Sequence, residues 1–340
     1  MRSKLNLSIA KGQPLPLAGM TYVVGDNISV KGLPMTAGSK ILEGYTAPYD
    51  ASVITALREA GAEFFGKAPS GEFGSEDGED KTAKVVALEM AAFGLASDAW
   101  GGLRIAAAKN GLVGLKPTYS SVSRCGLAAY ASSFEQIGCI ARSAEDCAKV
   151  FRVISFADPK DQCTMYNVQC TIKAKDRLRV GKLGADVKFE TVDAWESVWR
   201  ILSSAEAATN LARYDGVKFG LSVQGNDIDG LYKNTRTAGF GDFVKKQIML
   251  GNHVLGHANY NKYFVKAAKV RTLIIEDFAK AFEKYDVIVT PAEFKYTVGA
   301  NIAGLPALAV GNLQLIGRAF EEQSLFNAEC RMQNERTSKK

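Results

Sequence analysis

Two stretches hold residue types at spacings that catalysis or metal binding uses. Gly61, Gly66 and Lys67 in GAEFFGKA come close to the glycine-rich cradle whose backbone amides wrap a phosphate while a lysine reaches it. Ala68, however, stands where the Ser or Thr that holds magnesium belongs. Phe64 and Phe65 read as buried strand rather than as a loop turning its amides toward phosphate. A nucleotide site is therefore not expected. His253 and His257, the only histidines, stand four apart, which places both on one helix face as some metal ligands are. No carboxylate or cysteine beside them completes a set, and HVLGH lacks the glutamate of H-E-x-x-H, so they read as surface or interface residues. Neither metal nor cofactor is expected. With no G-x-S-x-G elbow in the sequence, the hydrolytic chemistry left open is a serine paired with a lysine as base.

The elements that must position such groups alternate between helix and strand. Val23 and Val24 read as a short buried strand entering the polar turn Gly25, Asp26, Asn27. A helix follows, with Asp50 as cap, Val53, Ile54 and Leu57 as apolar stripe and Gly61 as its end, and then a strand from Glu63 to Gly66. Ser70 to Asp80, Gly-rich and acidic, reads as a solvated loop, and Thr82 to Leu95 as a buried helix ended by Gly101 and Gly102. Ser143, with Asp146 three residues on, starts a helix through Ile154. Leu178, Val180 and Leu183 alternate like a strand. Helical patterns then cover Asp193 to Arg213, Asp242 to Gly256 and Tyr263 to Lys284, the last running into a strand from Asp286 to Thr290 that Pro291 stops. This alternation predicts an α/β fold, with a sheet flanked by helices on both faces. No linker or internal repeat divides residues 1–340, so one domain is expected, with a short N-terminal extension at 1–16 and a basic C-terminal tail at 331–340.

Composition sets the class. Apolar residues make up 47% and charged residues 23%, values of a soluble globular protein. No run of about 18 apolar residues exists, because Glu89 and Asp98 interrupt the most apolar region, so no membrane-spanning segment is expected. The net charge of +6 is scattered; it suits an acidic partner such as RNA but is also what an ordinary solvated surface carries. The six cysteines lack C-x-x-C pairs and the density of a secreted scaffold, pointing to a reducing compartment. Arg2, Lys4 and Lys11 precede the first acid, Asp26, faintly like an organellar targeting segment, although Pro14 and Pro16 break any long amphipathic helix there.

Longer stretches carry a resemblance. DNISVKGLPMTAGSKILEGYTAPYDASVI (Asp26–Ile54), LVGLKPTYSSVSRCGLAAYASSFEQIG (Leu112–Gly138), NLARYDGVKFG (Asn210–Gly220) and TRTAGFGDFVKKQIMLGNHVL (Thr235–Leu255), with NIAGLPALAV and LQLIG near the end, span almost the whole chain. Together they resemble the amidase signature family, most closely the A subunits of glutamyl-tRNA(Gln) amidotransferases. The resemblance implies a single α/β domain built on a mixed β-sheet. It also implies a nucleophilic Ser, a second Ser in a cis peptide and a Lys, with amides of a glycine-rich turn holding the oxyanion.

Set against those motifs, this sequence has lost the chemistry. The family's I-K-D-N turn reads V-G-D-N, placing Gly25 where the lysine belongs. Its S-D-T-G-G-S-I-R turn reads S-D-A-W-G-G-L-R over Ser97–Arg104, placing Gly102 at the nucleophile and Trp100 at a glycine of the oxyanion turn, where an indole should crowd the backbone. Counting back from Ser97, the S-S-G-G-S segment falls on Gly78, Glu79, Asp80, Lys81 and Thr82, placing Gly78 at the cis-serine. The stretch between Lys67 and Gly78 is shorter than the family's, and Pro291 to Asn301 omits a segment near its substrate pocket. Glycines cannot attack, accept or relay a proton, so a non-enzyme is expected.

The leading expectation is a structural or accessory subunit of a larger assembly, such as a mitochondrial ribosome or a respiratory complex. Its partners are then other protein subunits, with RNA contact open, and its location is a mitochondrial matrix or other organelle interior, otherwise the cytoplasm. One alternative is an A-like subunit that docks a B-like amidotransferase subunit or tRNA. Another is an amidase rearranged around Ser97, Lys81 or Lys67; Lys67 matches a non-catalytic lysine of the family.

Overall fold

Runs such as Tyr22–Val24 and Val287–Val289 are buried throughout, and their alternate side chains enter different apolar clusters. That is the mark of strands covered on both faces. The computed structural model describes residues 15–76, 78, 80–166 and 177–337, so most of the N-terminal extension lies outside the described residues. The strands are β1 (Thr21–Gly25), β2 (Glu63–Ala68), β3 (Phe93–Asp98), β4 (Val113–Lys116), β5 (Gln136–Ala141), β6 (Val180–Lys182), β7 (Val287–Pro291), β8 (Ala307–Val310) and β9 (Leu313–Gly317). They form one nine-stranded sheet in the order β2-β1-β3-β5-β4-β8-β9-β7-β6. β1 runs parallel to β2 and β3, and β6 to β7, while the remaining pairs are antiparallel. The sheet is therefore mixed.

One face is covered by α1 (Ser52–Glu59), α4 (Ala144–Ile154) and α11 (Glu322–Thr337), which bring Ile54, Leu57, Phe151 and Leu325 onto Val24, Leu95 and Leu315. On the other, α2 (Thr82–Ala87) and α3 (Gly102–Lys109) pack on Val23, Ala96 and Ile140. Beside them α5 (Trp195–Asn210), α9 (Lys266–Lys284) and α10 (Phe294–Ile302) set Trp195, Trp199 and Phe278 against Ile288 and Ile316. The layer is completed by α6 (Ile228–Gly239), α7 (Asp242–Leu255) and the single turn α8 (His257–Tyr260). The expected α/β sheet with helices on both faces is what the chain forms. The C-terminal segment begins as the last turns of α11, which continues to Thr337.

Several local expectations are corrected. The helix expected over Thr82 to Leu95 stops at Ala87, because Glu89 takes φ +58° and turns the chain into β3. Gly94 permits that path: a Cβ there would lie 2.2 Å from Thr82 Cγ2. Gly101 and Gly102 do not end a helix but begin α3. Asp50 does not cap α1; its Oδ1 accepts from the Lys31 amide at 2.8 Å, and its carboxylate pairs with Arg58. Phe65 is 48% exposed on an edge strand rather than buried. Gly256, with ψ 140°, breaks the helix between His253 and His257, so the two do not share one helical face. At Ser143 the expectation holds, its Oγ accepting from the Asp146 amide at 3.1 Å.

Candidate functional site

Two stretches, one from Ser70 to Asp80 and one from Ser97 to Lys109, line a cleft of about 280 Å³ at the carboxyl end of β3. Gly78 and Gly102 both line it, as do Asp80, Ser97 and Trp100. Gly25, the last residue of β1, points its missing side chain at the same place: an added Cβ would sit 3.7 Å from Asp80 Oδ2, 3.6 Å from the Leu95 carbonyl and 3.2 Å from Asn27 Oδ1. The structure thus gathers the three assigned positions, drawn from separate loops of the chain, at one site.

The three positions differ in what surrounds them. At Gly25 a side chain needs only a small movement of the Asn27 amide. At Gly102 an added Cβ would lie 3.0 Å from Cε2 and Cζ2 of Trp100, so the indole stands where a serine would project. At Gly78 the Cβ would lie 2.8 Å from the Gly71 Cα, and the obstacle is main chain. Gly25 thus has room for a side chain, whereas the other two glycines are obstructed. Trp100, read in the sequence as crowding an oxyanion turn, lies with its indole across Gly102.

The indole is held from several sides. Its Nε1 donates to the Gly74 carbonyl at 3.0 Å, and its ring packs on Phe294, centroids 5.9 Å apart. The Trp100 carbonyl accepts from Thr297 Oγ1 at 2.8 Å, while the preceding carbonyl, Ala99, accepts from Trp199 Nε1 at 2.8 Å. Phe294 and Thr297 belong to α10, the helix formed by the stretch that reads as a pruned pocket loop. Gly101 makes this bracing possible: its φ of +110° is left-handed, and a Cβ there would meet Thr297 Oγ1 at 2.2 Å.

Beneath the turn lies a buried polar network. Asp98, wholly buried, accepts from Arg104 Nε at 2.9 Å, Asn301 Nδ2 at 3.0 Å and the Gly101 amide at 2.8 Å. Burial alone raises its carboxyl, but Arg104 and Asn301 outweigh it and hold the group below the usual range. Arg104 also donates to Gln314 Oε1 and to Asn301 Oδ1. Nearby Lys116, fully buried, donates to the Pro117 carbonyl at 2.9 Å, and burial together with Arg104 pushes it down to about 7.

The segment Ser70 to Asp80 is not the solvated loop its composition suggests. Phe73 is 1% exposed and packs at a tilt against the rings of Tyr214 and Phe240. Glu72 is 5% exposed and accepts from Ser39 Oγ and the Gly241 amide. These anchors draw the Gly71 backbone to Gly78. The sequence signal is Phe73 itself, an aromatic amid glycines and acids.

None of the substitutes for the triad is assembled as one. Ser97 lines the cleft, but its Oγ receives the Asn27 amide at 2.7 Å, a donor that cannot take a proton from it. Lys81 is exposed and outside the lining. Lys67 pairs with Asp26 at 3.1 Å and donates to the Pro34 carbonyl at 2.9 Å; burial lowers it, with Asp26 opposing. Among the described residues no group of His, Cys, Asp and Glu is arranged to hold a metal, and no helix is long and apolar enough to cross a membrane.

Comparison with known proteins places this geometry. The family model described as Amidase matches residues 2–77, 82–191 and 185–304, breaking off at 78–81, where Gly78 lies. The A subunit of the glutamyl-tRNA(Gln) amidotransferase of Lachnoclostridium phytofermentans is 37% identical over 427 positions, covering 96% of this chain and 85% of that one. The corresponding protein of Nitratiruptor sp. is 34% identical, covering 98% and 93%. The alignments run longer than this chain's 340 residues, so the relatives carry segments that it lacks. The crystal structure of the Thermotoga maritima counterpart superposes with a TM-score of 0.71 at 28% identity over 91% of this chain and 81% of that one. A peptide amidase from Stenotrophomonas maltophilia, at 22% identity over 95% of this chain and 84% of that one, shares the fold with a TM-score of 0.73. The chain belongs to the amidase family.

Proposed function

We propose that this chain is a catalytically inactive amidase-fold protein serving as a structural or accessory subunit of a larger assembly. The observation that carries this reading is the Trp100 indole lying against Gly102, braced by Gly74, Phe294 and Thr297. With glycine at the three assigned positions nothing attacks a carbonyl, and nothing takes or relays the proton of an attacking group. The fold beneath is fully built, with a satisfied ion pair under the turn. Folding is retained while the route to an acyl-enzyme is closed.

The proposed role within an assembly draws support from the amidotransferase A subunits, the first of which matches 96% of this chain, the later helices included. That match favours a second reading, in which the chain holds a B-like subunit or tRNA without supplying hydrolysis. An organelle interior is the setting that a bacterial type of subunit suggests, and the net charge of +6 suits an RNA-containing assembly such as a mitochondrial ribosome.

The test has two parts. Purified protein incubated with glutamine, asparagine and simple amides should release no more ammonia than buffer; release abolished by Ser97→Ala would revive a rearranged amidase. Purification under mild conditions should leave the chain in a large assembly, whose other members decide between the readings. A free monomer would end the subunit proposal.

A further inference from the structure

Two cysteines away from the cleft are brought together by the fold. β5 carries Cys139, the chain turns back at Arg142 and Ser143, and the first turns of α4 then lie over the strand with Cys147 facing it. Cys139 Sγ lies 3.5 Å from the Cys147 carbonyl, and Cys147 Sγ lies 3.9 Å from the Cys139 carbonyl and 3.5 Å from that of Val113. Both are wholly buried free cysteines, and each sulfur lies against the other residue's backbone, so the fold holds the two side chains side by side. Cys163 and Cys330, by contrast, are exposed.

We infer that Cys139 and Cys147 are a dithiol that exchanges with low-molecular-weight disulfides to form an internal disulfide, tying β5 to α4. One cysteine thiolate attacks a sulfur of the oxidised disulfide, expelling one small thiolate and leaving a mixed disulfide. The second cysteine thiolate attacks the protein sulfur of that bond and expels the other. The protein pair loses two electrons and two protons, and the small disulfide becomes two thiols. Burial pushes the Cys147 thiol well up and keeps thiolate scarce, so exchange proceeds through opening of α4. The pair closes a short loop, its members being eight apart.

The experiment uses the full-length chain with Cys125, Cys163, Cys170 and Cys330 changed to Ser, leaving only this pair. It is brought to equilibrium with glutathione buffers, starting from the reduced and from the oxidised protein, both folded and in concentrated urea. Alkylation and non-reducing peptide mapping count the disulfide, and the unsubstituted chain is mapped in parallel. If the native geometry suits the bond, the folded protein holds on the order of ten- to a hundredfold more disulfide than the unfolded one at the same glutathione ratio. Equal or lower pairing when folded overturns the inference, as does a folded product that stops at the mixed disulfide with glutathione.

Discussion

Gly102→Ser places a hydroxyl at the position assigned to the nucleophile and tests whether the space there is filled. Its Cβ would lie 3.0 Å from two indole carbons of Trp100, whereas carbon atoms pack without repulsion at about 3.5 to 4 Å. The indole must therefore retreat by about half an ångström or more. Retreat stretches the bond from Nε1 to the Gly74 carbonyl and presses the ring toward Phe294. Overpacking of this kind costs about 1–3 kcal/mol. In a Trp100→Gly background the obstacle is gone, and the same substitution should cost less than about 0.5 kcal/mol, the range of an unobstructed surface change. The double-mutant cycle, read from urea unfolding midpoints at constant slope, then shows a coupling of about 1–3 kcal/mol. An equal cost in both backgrounds would refute the claim that the indole fills the serine position. The same reasoning extends to activity. Gly25→Lys, Gly78→Ser and Gly102→Ser combined should release no ammonia from glutamine while Trp100 remains, because Gly71 also blocks the second serine at 2.8 Å. Release by that triple variant at an amidase-like rate would show that the site is depleted but not filled.

Other perturbations reach the groups around the cleft. Arg104→Met leaves Asp98 buried without its cation, and urea unfolding should register a loss of about 3–5 kcal/mol. Glu135 is fully buried and pushed up to about 7, above the ordinary 4.5, by burial that the Tyr130 and Ala131 amides only partly offset. A raised carboxyl gives stability that is complete below the unfolded value and lost as pH rises through the folded one. Unfolding curves should weaken by on the order of 3 kcal/mol between pH 4.5 and 7, and Glu135→Gln should flatten that slope. Lys116 acts in the opposite sense: its amine is depressed to about 7 from 10.5, so its contribution rises with pH between those two values, and Lys116→Met should remove the rise measured by thermal unfolding.

The sheet and most of its helices are legible in the sequence because burial on both faces writes itself as apolar strands and periodic helices. Val23 and Val24, the Asp242 helix and the strand before Pro291 need no tertiary information. The turn at Gly101 and Gly102 is ambiguous in sequence, since a glycine pair marks either end of a helix and the bracing by Thr297 comes from 197 residues away. At the cleft, motif spacing names the assigned positions but not what occupies their space. The Trp100 indole over Gly102 and the Gly71 backbone over Gly78 depend on α10 and on Phe73, whose placements follow from packing alone. Asp50 is likewise a sound cap by type, yet a nearby amide and Arg58 claim its carboxylate instead.

The polar network under the turn bears on how this protein is made. Asp98 and Arg104 lie toward the end of the first third of the chain, but Asn301 is 203 residues from Asp98 and Gln314 is 210 from Arg104. Strand β4, from the early half, borders β8, from the end, so the sheet is continuous only when both have been synthesised. During translation the arginine and aspartate can find each other, but the amides that complete their shell are still inside the ribosome. Closing so long a loop is entropically slow and leaves strand edges open in the meantime. The floor of the cleft is thus among the last parts to set during biogenesis. Premature termination before residue 314 should leave a product that cannot mature, and termination before β8 would hand chaperones a sheet with β4 unpaired on one side.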